Sequence, residues 1–335
     1  MAHIAERAGV STATVSRVLN GSPRVQPVRR LLVLKAIAEL GYRPNRLARN
    51  FRRQQVEAIG IVVSDIENPH FTSMVRAVED LAYARGFRVL VCNTDEKSEK
   101  QRVYLEMMAN ERLQGVVISA SDPGAAEIGQ LIDAGIHVVA FDRPVADPRA
   151  DVVLANNLDG AERATRLLVQ AGHLRIGLVA GPTDIETGRD RLGGYLAAIR
   201  AAGLEPHAVD GGFRIEGGRT ATNELLDGGW NPTALVVANN LMAIGALDAL
   251  RARGRRVPED VALVTIDDAF WSKLVDPPLT TLAQPVRELA SAAMQLLFAK
   301  IDGDARGSKR VVFDFEMIVR DSCGTAPKGA WRTRS

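Results

Sequence analysis

Between residues 3 and 40 the apolar positions recur at helical spacing, in three short groups. Ile4, Ala5 and Ala8 share one face of a helix over 3–9, and Gly9 breaks it. Ser11 is placed to cap a second helix running to about Asn20, with Val15, Val18 and Leu19 as its apolar face. A third helix, about 28–40, offers Leu31, Leu34, Ile37, Ala38 and Leu40 to a small core, and Gly41 ends it. Ala5 is small where the second helix must cross, Gly9 allows the tight turn, and Val15 locks the pair. That spacing fits a helix-turn-helix, whose second helix enters the DNA major groove by its N-terminal end; a generic helical hairpin shares it. From Ala58 onward the pattern changes. Short apolar runs at 59–63, 88–92, 115–119, 137–141, 176–180, 234–238 and 262–266 read as strands. Helical patterns occupy about 71–85, 98–111, 125–134, 159–171, 187–202, 217–227, 241–253 and 286–301. Such alternation predicts doubly wound parallel sheets, and the length predicts two of them.

Charge sharpens the division. The net charge of the 335 residues is only +2. Residues 1–53, however, carry eleven Lys/Arg against Glu6 and Glu39, a balance of +9, and the remainder is at −7. A basic head on an acidic body points to a polyanion-binding module joined to a domain with another task. Arg17, on the outer face of the second helix, can grip a guanine edge with two hydrogen bonds.

Composition excludes more than it identifies. At 46% hydrophobic and 24% charged residues the balance is that of a soluble globular protein. No apolar run approaches the ~20 residues of a membrane helix, and the first residues lack the apolar core of a signal peptide. The expected location is the cytoplasm, beside the nucleoid, with no membrane partner. Cys92 and Cys323 fit a reduced compartment. The five histidines form no i, i+4 ligand pair, and neither a Gly-x-Ser-x-Gly elbow nor a Walker loop is present. No metal, no cofactor and no catalytic residue is expected, and the chain does not read as an enzyme.

The run AGVSTATVSRVLNG from Ala8 to Gly21, followed by LGYRPNRLAR from Leu40 to Arg49, resembles the DNA-reading segment and hinge entry of the LacI/GalR family of transcriptional regulators. The resemblance implies that Thr12, Ala13 and Arg17 read bases, while Ser11, Thr14, Ser16 and Asn20 mainly hold the DNA backbone. It also implies a hinge helix, with Asn45 and Ala48 near the minor groove and Phe51 as its kinking wedge. Read without the resemblance, residues 45–53 would be a plain linker, since two helical turns are marginal alone.

In the body, ligands of open parallel sheets sit beyond the carboxyl ends of strands. The polar residues found there include Ser64, Asp65, Asn68 and His70 after the first strand, Asp142 and Arg143 after the fourth, and Asn239 and Asp267 after later ones. Arg189 lies beyond the strand at 176–180. Asp and Asn match vicinal hydroxyls, Arg supplies planar donor forks, and Phe71 and Phe213 offer flat apolar faces, which together suit a sugar ring. The stretches AGHLRIGLVAGP at 171–182, VPEDV at 257–261 and PPLTTLAQP at 277–285 resemble the same family, and beyond it periplasmic sugar-binding proteins. That resemblance implies effector contacts from Asn68, Phe71, Asp142, Arg143, Arg189, Phe213, Asn239, Asp267 and Gln284. His70 stands where those proteins carry a stacking Phe, Asn240 replaces the usual Asp, and Thr265-Ile266 replaces a Gly-aromatic pair.

The expected architecture is a small all-α helix-turn-helix domain joined by a hinge helix to a two-lobed α/β sensor of doubly wound parallel sheets, of the periplasmic binding protein-like type I. Boundaries are expected at 1–43 for the DNA-binding domain, 44–57 for the hinge and linker, and 58–320 for the effector-binding and dimerisation domain. Within the last, one lobe takes 58–155 and 285–314 and the other 156–284 and 315–321, leaving a polar tail at 321–335. The expected protein is a homodimeric repressor on a palindromic double-stranded operator, controlled by a monosaccharide or a close polyol or phosphorylated relative. The same regulator answering to a purine or nucleoside is the alternative. A sugar-binding protein without DNA regulation is a third reading, opposed by the basic head.

Overall fold

The computed structural model describes residues 2–19, 25–40, 56–304 and 307–324. The chain divides into two compact units between Val56 and Glu57.

The first unit contains helices α1 (Ala2–Ala8), α2 (Thr12–Leu19) and α3 (Pro27–Glu39). Gly9 has a φ of +63°, which a residue with a Cβ adopts only at a cost. That backbone lets the Val10 N–H reach the Ala5 carbonyl at 3.0 Å and turns the chain into α2. Ile4, Ala5, Ala8, Val15, Val18, Val33 and Ala36 are buried together. The third helix presents a different face from the one expected. Leu31 is 68% exposed and Leu34 and Leu40 are also exposed, while Ile37 packs inward as expected and is joined by Val33 and Ala36. Apolar residues lie almost all round α3, so periodicity could not select its buried side.

The second unit holds two six-stranded sheets among the described residues. In the first, the order is β11 (Arg310–Phe313), β5 (Asp151–Ala155), β4 (His137–Phe141), β3 (Gly115–Ile118), β1 (Ala58–Val63), β2 (Arg88–Asn93). All its neighbours run parallel. In the second, the order is β12 (Glu316–Ile318), β10 (Thr280–Ala283), β9 (Ala262–Ile266), β8 (Ala234–Val237), β6 (Ile176–Ala180), β7 (His207–Asp210), with β12 alone antiparallel to its neighbour. Every residue of β1, β3, β6, β8 and β9 is buried. This is why those strands read as unbroken apolar runs.

Helices α4 (Pro69–Ala84), α5 (Ser98–Asn110), α6 (Ala126–Asp133) and α11 (Val286–Ile301) belong with the first sheet. Helices α7 (Asn157–Gln170), α8 (Glu186–Ala201), α9 (Ile215–Asp227) and α10 (Asn240–Ala252) belong with the second. The chain therefore passes from one lobe to the other three times, between β5 and α7, between β10 and α11, and between β11 and β12. Among the described residues no helix is long and apolar enough to cross a membrane.

Tyr195 ties the outer strand of the second sheet to its centre. Its buried hydroxyl donates to the Ile176 carbonyl at 2.7 Å and accepts the His207 N–H at 3.0 Å. Burial pushes that hydroxyl up to about 12, although its hydrogen bond at His207 acts the other way. Tyr195→Phe removes the hydroxyl shared by the Ile176 carbonyl and the His207 N–H, and is expected to cost about 0.5–1.5 kcal/mol in urea unfolding at neutral pH. The neutral phenol contributes fully below the unfolded tyrosine value of about 10, and its contribution is lost as pH rises toward 12. The gap between wild type and variant should therefore shrink above pH 10. A gap that is constant to pH 12 contradicts this.

Candidate functional site

In the first unit, Ser11 caps α2. Its hydroxyl accepts the Thr14 N–H at 3.2 Å and lies 3.0 Å from the Thr14 hydroxyl. Burying Val15 and Val18 turns Thr12, Ala13 and Arg17 outward, and all three are exposed. Ala13 and Arg17 are four residues apart and share a face. An exposed Ser/Thr cluster with an arginine at the N-terminal part of a short helix can donate to phosphates and reach base edges. Helix α1 is held to α3 by Arg7, 2.8 Å from Glu39. Ser16 lies on α2, while its side chain, and Asn20, Asn45, Ala48 and Phe51 altogether, fall outside the described residues.

In the second unit, the strand-end loops of both sheets meet across a cleft of about 260 Å³. Nine of the ten side chains singled out from sequence line it: Asn68, His70, Phe71, Asp142, Arg143, Phe213, Asn239, Asp267 and Gln284. Arg189 does not. Its guanidinium is at the surface, donating to the Thr183 carbonyl, and Arg191 lines the cleft in its place. Two positions along a helix turn a side chain by roughly 200°, so the second arginine faces inward when the first faces solvent. Arg191 is buried, donates from Nε to Asn157 at 2.8 Å and from Nη1 to the Ala238 carbonyl at 2.5 Å, and lies 5.7 Å from the Phe213 ring. That ring packs over Gly181, where a Cβ would collide with it.

A polar network joins the lobes in the depth of the cleft. Asn68 caps α4 by accepting the His70 N–H at 2.9 Å, and its oxygen also accepts from Asn240 of the other lobe at 2.9 Å. Asn240 donates to Asp267 at 3.2 Å, and Gln284 donates to Asp267 at 2.7 Å. Asn239 caps α10 through the Met242 N–H at 2.8 Å and donates to the Phe213 carbonyl at 3.2 Å. The departure of Asn240 from the sugar-binding pattern thus has a structural use: an amide donates to both Asn68 and Asp267, which a carboxylate cannot do. His70 meets Phe71 edge to face, with centroids 5.1 Å apart, and Phe71 meets Phe141 in the same way.

The sequence reading did not single out Glu96 or Arg214. Arg143 is buried and its guanidinium is gripped by both oxygens of Glu96 at 2.9 Å, with Asp142 at 3.3 Å. Burial pulls its proton affinity down, but Asp142 and Glu96 override that and hold it above the usual arginine range. Arg214 reaches across the mouth of the cleft to Asp65 at 2.8 Å and Asp95 at 2.9 Å. Burial raises Asp65 above the usual carboxylate range, against the pull of a Glu67 hydrogen bond and of Arg214. Strain collects here as well. Asp95, Glu96, Asp142, Phe213 and Asp267 all have φ between +55° and +73°. Non-glycine residues held in this region concentrate where side chains must be aimed.

Two families match the chain: the bacterial regulatory proteins of the lacI family over residues 1–45, and the periplasmic binding protein-like domain over residues 165–323. The HTH-type transcriptional repressor PurR of Pasteurella multocida (strain Pm70) is 32% identical over 95% of this chain and 97% of its own. A transcriptional regulator CelR–cellobiose complex superposes with a TM-score of 0.72 at 34% identity, covering 96% of this chain and 98% of that one. The Lac repressor dimer bound to operator and an anti-inducer superposes with a TM-score of 0.84 at 29% identity, covering 96% and 97%.

Removing the link at the cleft mouth should loosen the lobes. Arg214→Ala deprives Asp65 and Asp95 of their shared partner, leaving Asp95 with Lys97 of its own lobe. Hydrogen exchange is expected to rise in the loops at 64–68, 94–97 and 211–214 while the sheet centres stay protected. Unchanged exchange in those loops counts against the link.

Proposed function

The chain belongs to the LacI family of bacterial regulatory proteins, and from that premise we propose that it is a sequence-specific DNA-binding repressor whose operator affinity is set by a sugar-like effector held between its lobes. The observation that carries the effector reading is the inter-lobe network of Asn68, Asn240, Asp267 and Gln284, with Phe213 and Arg191 beside it. Amides and carboxylates on both walls, with an aromatic face between them, match a ring bearing several hydroxyls. The cleft volume, near the lower end of the roughly 300–1,000 Å³ of small-molecule sites, suits a small ligand. The CelR–cellobiose complex supports a saccharide. No catalytic step is assigned to the site.

For DNA, Thr12, Ala13 and Arg17 read bases, while Ser11, Thr14 and Ser16 hold phosphates, with Asn20 beside them. Asn45, Ala48 and Phe51 belong to a hinge over 44–57 that enters the minor groove and couples residues 1–43 to the sensor at 58–320. The chain acts as a homodimer, a reading supported by the Lac repressor dimer on its operator. Two identical recognition helices related by a two-fold axis call for a palindromic site. Effector binding changes DNA affinity only to the extent that it favours one lobe arrangement over the other.

Two outcomes test this. Arg17→Ala should cost about 1–3 kcal/mol in operator binding and relax specificity at one base pair per half-site, read by footprinting on variant operators. A single asymmetric half-site, or an unchanged profile, overturns the DNA assignment. Asp267→Ala and Arg191→Ala should each abolish the sugar response while operator binding stays nearly intact, and Arg189→Ala should leave the response in place. A purine that binds tightly where no sugar does, or a sugar response surviving both cleft variants, overturns the effector assignment.

A further inference from the structure

The charges around the cleft are already spoken for, and this restricts what can enter. Arg143 has five N–H donors. Nε meets Asp142, one terminal nitrogen meets Glu96 and the Ala120 carbonyl, and the other meets Glu96 and the Ser64 hydroxyl at 3.5 Å. All five donors are accounted for. Arg214 is engaged with Asp65 and Asp95. Arg191 is the third guanidinium on the wall, and its partners, Asn157 and a carbonyl, are neutral. Facing these three are five lining carboxylates: Asp65, Glu96, Asp142, Asp184 and Asp267. The surplus is two negative charges among the described lining residues. An entering phosphate or carboxylate would meet one guanidinium with donors to spare and a field of like charge. To recruit Arg143 it would have to displace Glu96 from a buried bidentate pair.

We infer that the effector site selects an uncharged polyhydroxy ligand and rejects phosphorylated and acidic sugars, with Glu96 as a specificity-determining residue that acts by occupying Arg143. This rests on the proposed sugar response. Glu96 does the excluding from a strained position, with a φ of +55°, at the end of β2. Its carboxylate reaches over to a guanidinium that follows β4. Arg143 thereby serves as a buried anchor for the acidic wall rather than as a free anion receptor.

The test uses the full chain and paired probes: glucose, ribose, galactose and cellobiose, each by thermal shift and calorimetry, then glucose 6-phosphate, ribose 5-phosphate, galactose 6-phosphate and glucuronate. The best neutral sugar is expected to bind at least tenfold more tightly than its phosphate or acid counterpart at 150 mM salt, and lowering the salt should widen that gap. Glu96→Gln frees part of the Arg143 fork and should narrow it, with circular dichroism and the unfolding midpoint confirming that the variant folds. A phosphate or uronate binding as tightly as the neutral sugar overturns the inference while leaving the sugar reading intact. An unchanged gap in folded Glu96→Gln overturns the role of Glu96. Adenine or hypoxanthine binding with no sugar bound overturns the proposed function, and this inference with it.

Discussion

A parallel strand covered on both faces holds few polar side chains away from its ends. In this chain five central strands are buried along their whole length. Hydrogen-bonding groups are therefore driven into the loops beyond the carboxyl ends. Two such sheets, joined by three crossings, bring both sets of loops to one gap. The site follows from this constraint. Asp142 comes directly after β4, Asp267 directly after β9 and Gln284 directly after β10. Each is aimed by a short loop on a rigid strand, which fixes a side chain better than a long loop could.

The same constraint explains what could be read from sequence. Central strands stood out because nothing interrupts their apolar runs. The strands β7, β11 and β12 lie at sheet edges, are three or four residues long and are only partly buried. β5 begins with the buried Asp151, whose carboxylate binds Lys300 and the Lys309 N–H, so its first residue reads as loop. Nine of the ten expected cleft residues line the cleft because strand ends are recognisable positions. Arg189 and Arg191 both lie in the first turns of α8, and that helix carries little apolar contrast to show which of them faces the cleft. Glu96 and Arg214 escaped for another reason. Their partners are 47 residues and more than 100 residues away in sequence, and only the folded lobes bring them together.

The contacts that bridge the gap differ in kind from those that build the lobes. Each lobe has its own cluster of buried aliphatic and aromatic residues. The links singled out across the cleft are polar: Asn240 to Asn68, and Arg214 to Asp65 and Asp95. Apolar burial is lost only by exposing area to water, at about 25 cal/mol per Å². A polar link can be exchanged for another partner at little net cost, because water or a ligand hydroxyl takes the place of the lost group. Arg214 is about a third exposed, so its two ion pairs are screened and worth little individually. The lobes can therefore change their spacing without unfolding, and a ligand of modest affinity can decide between arrangements.

That division sets the direction in which specificity has to act. A ligand moves the lobe equilibrium only through the difference in its affinity for the two arrangements. A ligand held by one wall alone would bind both arrangements nearly equally and leave DNA affinity where it was. Asn68 and Arg143 stand on one lobe, while Arg191, Phe213, Asn239 and Asp267 stand on the other. Effective ligands must span the two sets. Hydroxyls on opposite edges of a ring do this with neutral hydrogen bonds, and the ion pairs already in place can stay intact. Beyond Arg191, an anion would gain a cationic contact only by breaking such a pair, and breaking those of Arg214 would open a link between the lobes. The charge distribution of the cleft thus selects for ligands that close it as well as for ligands that fit it.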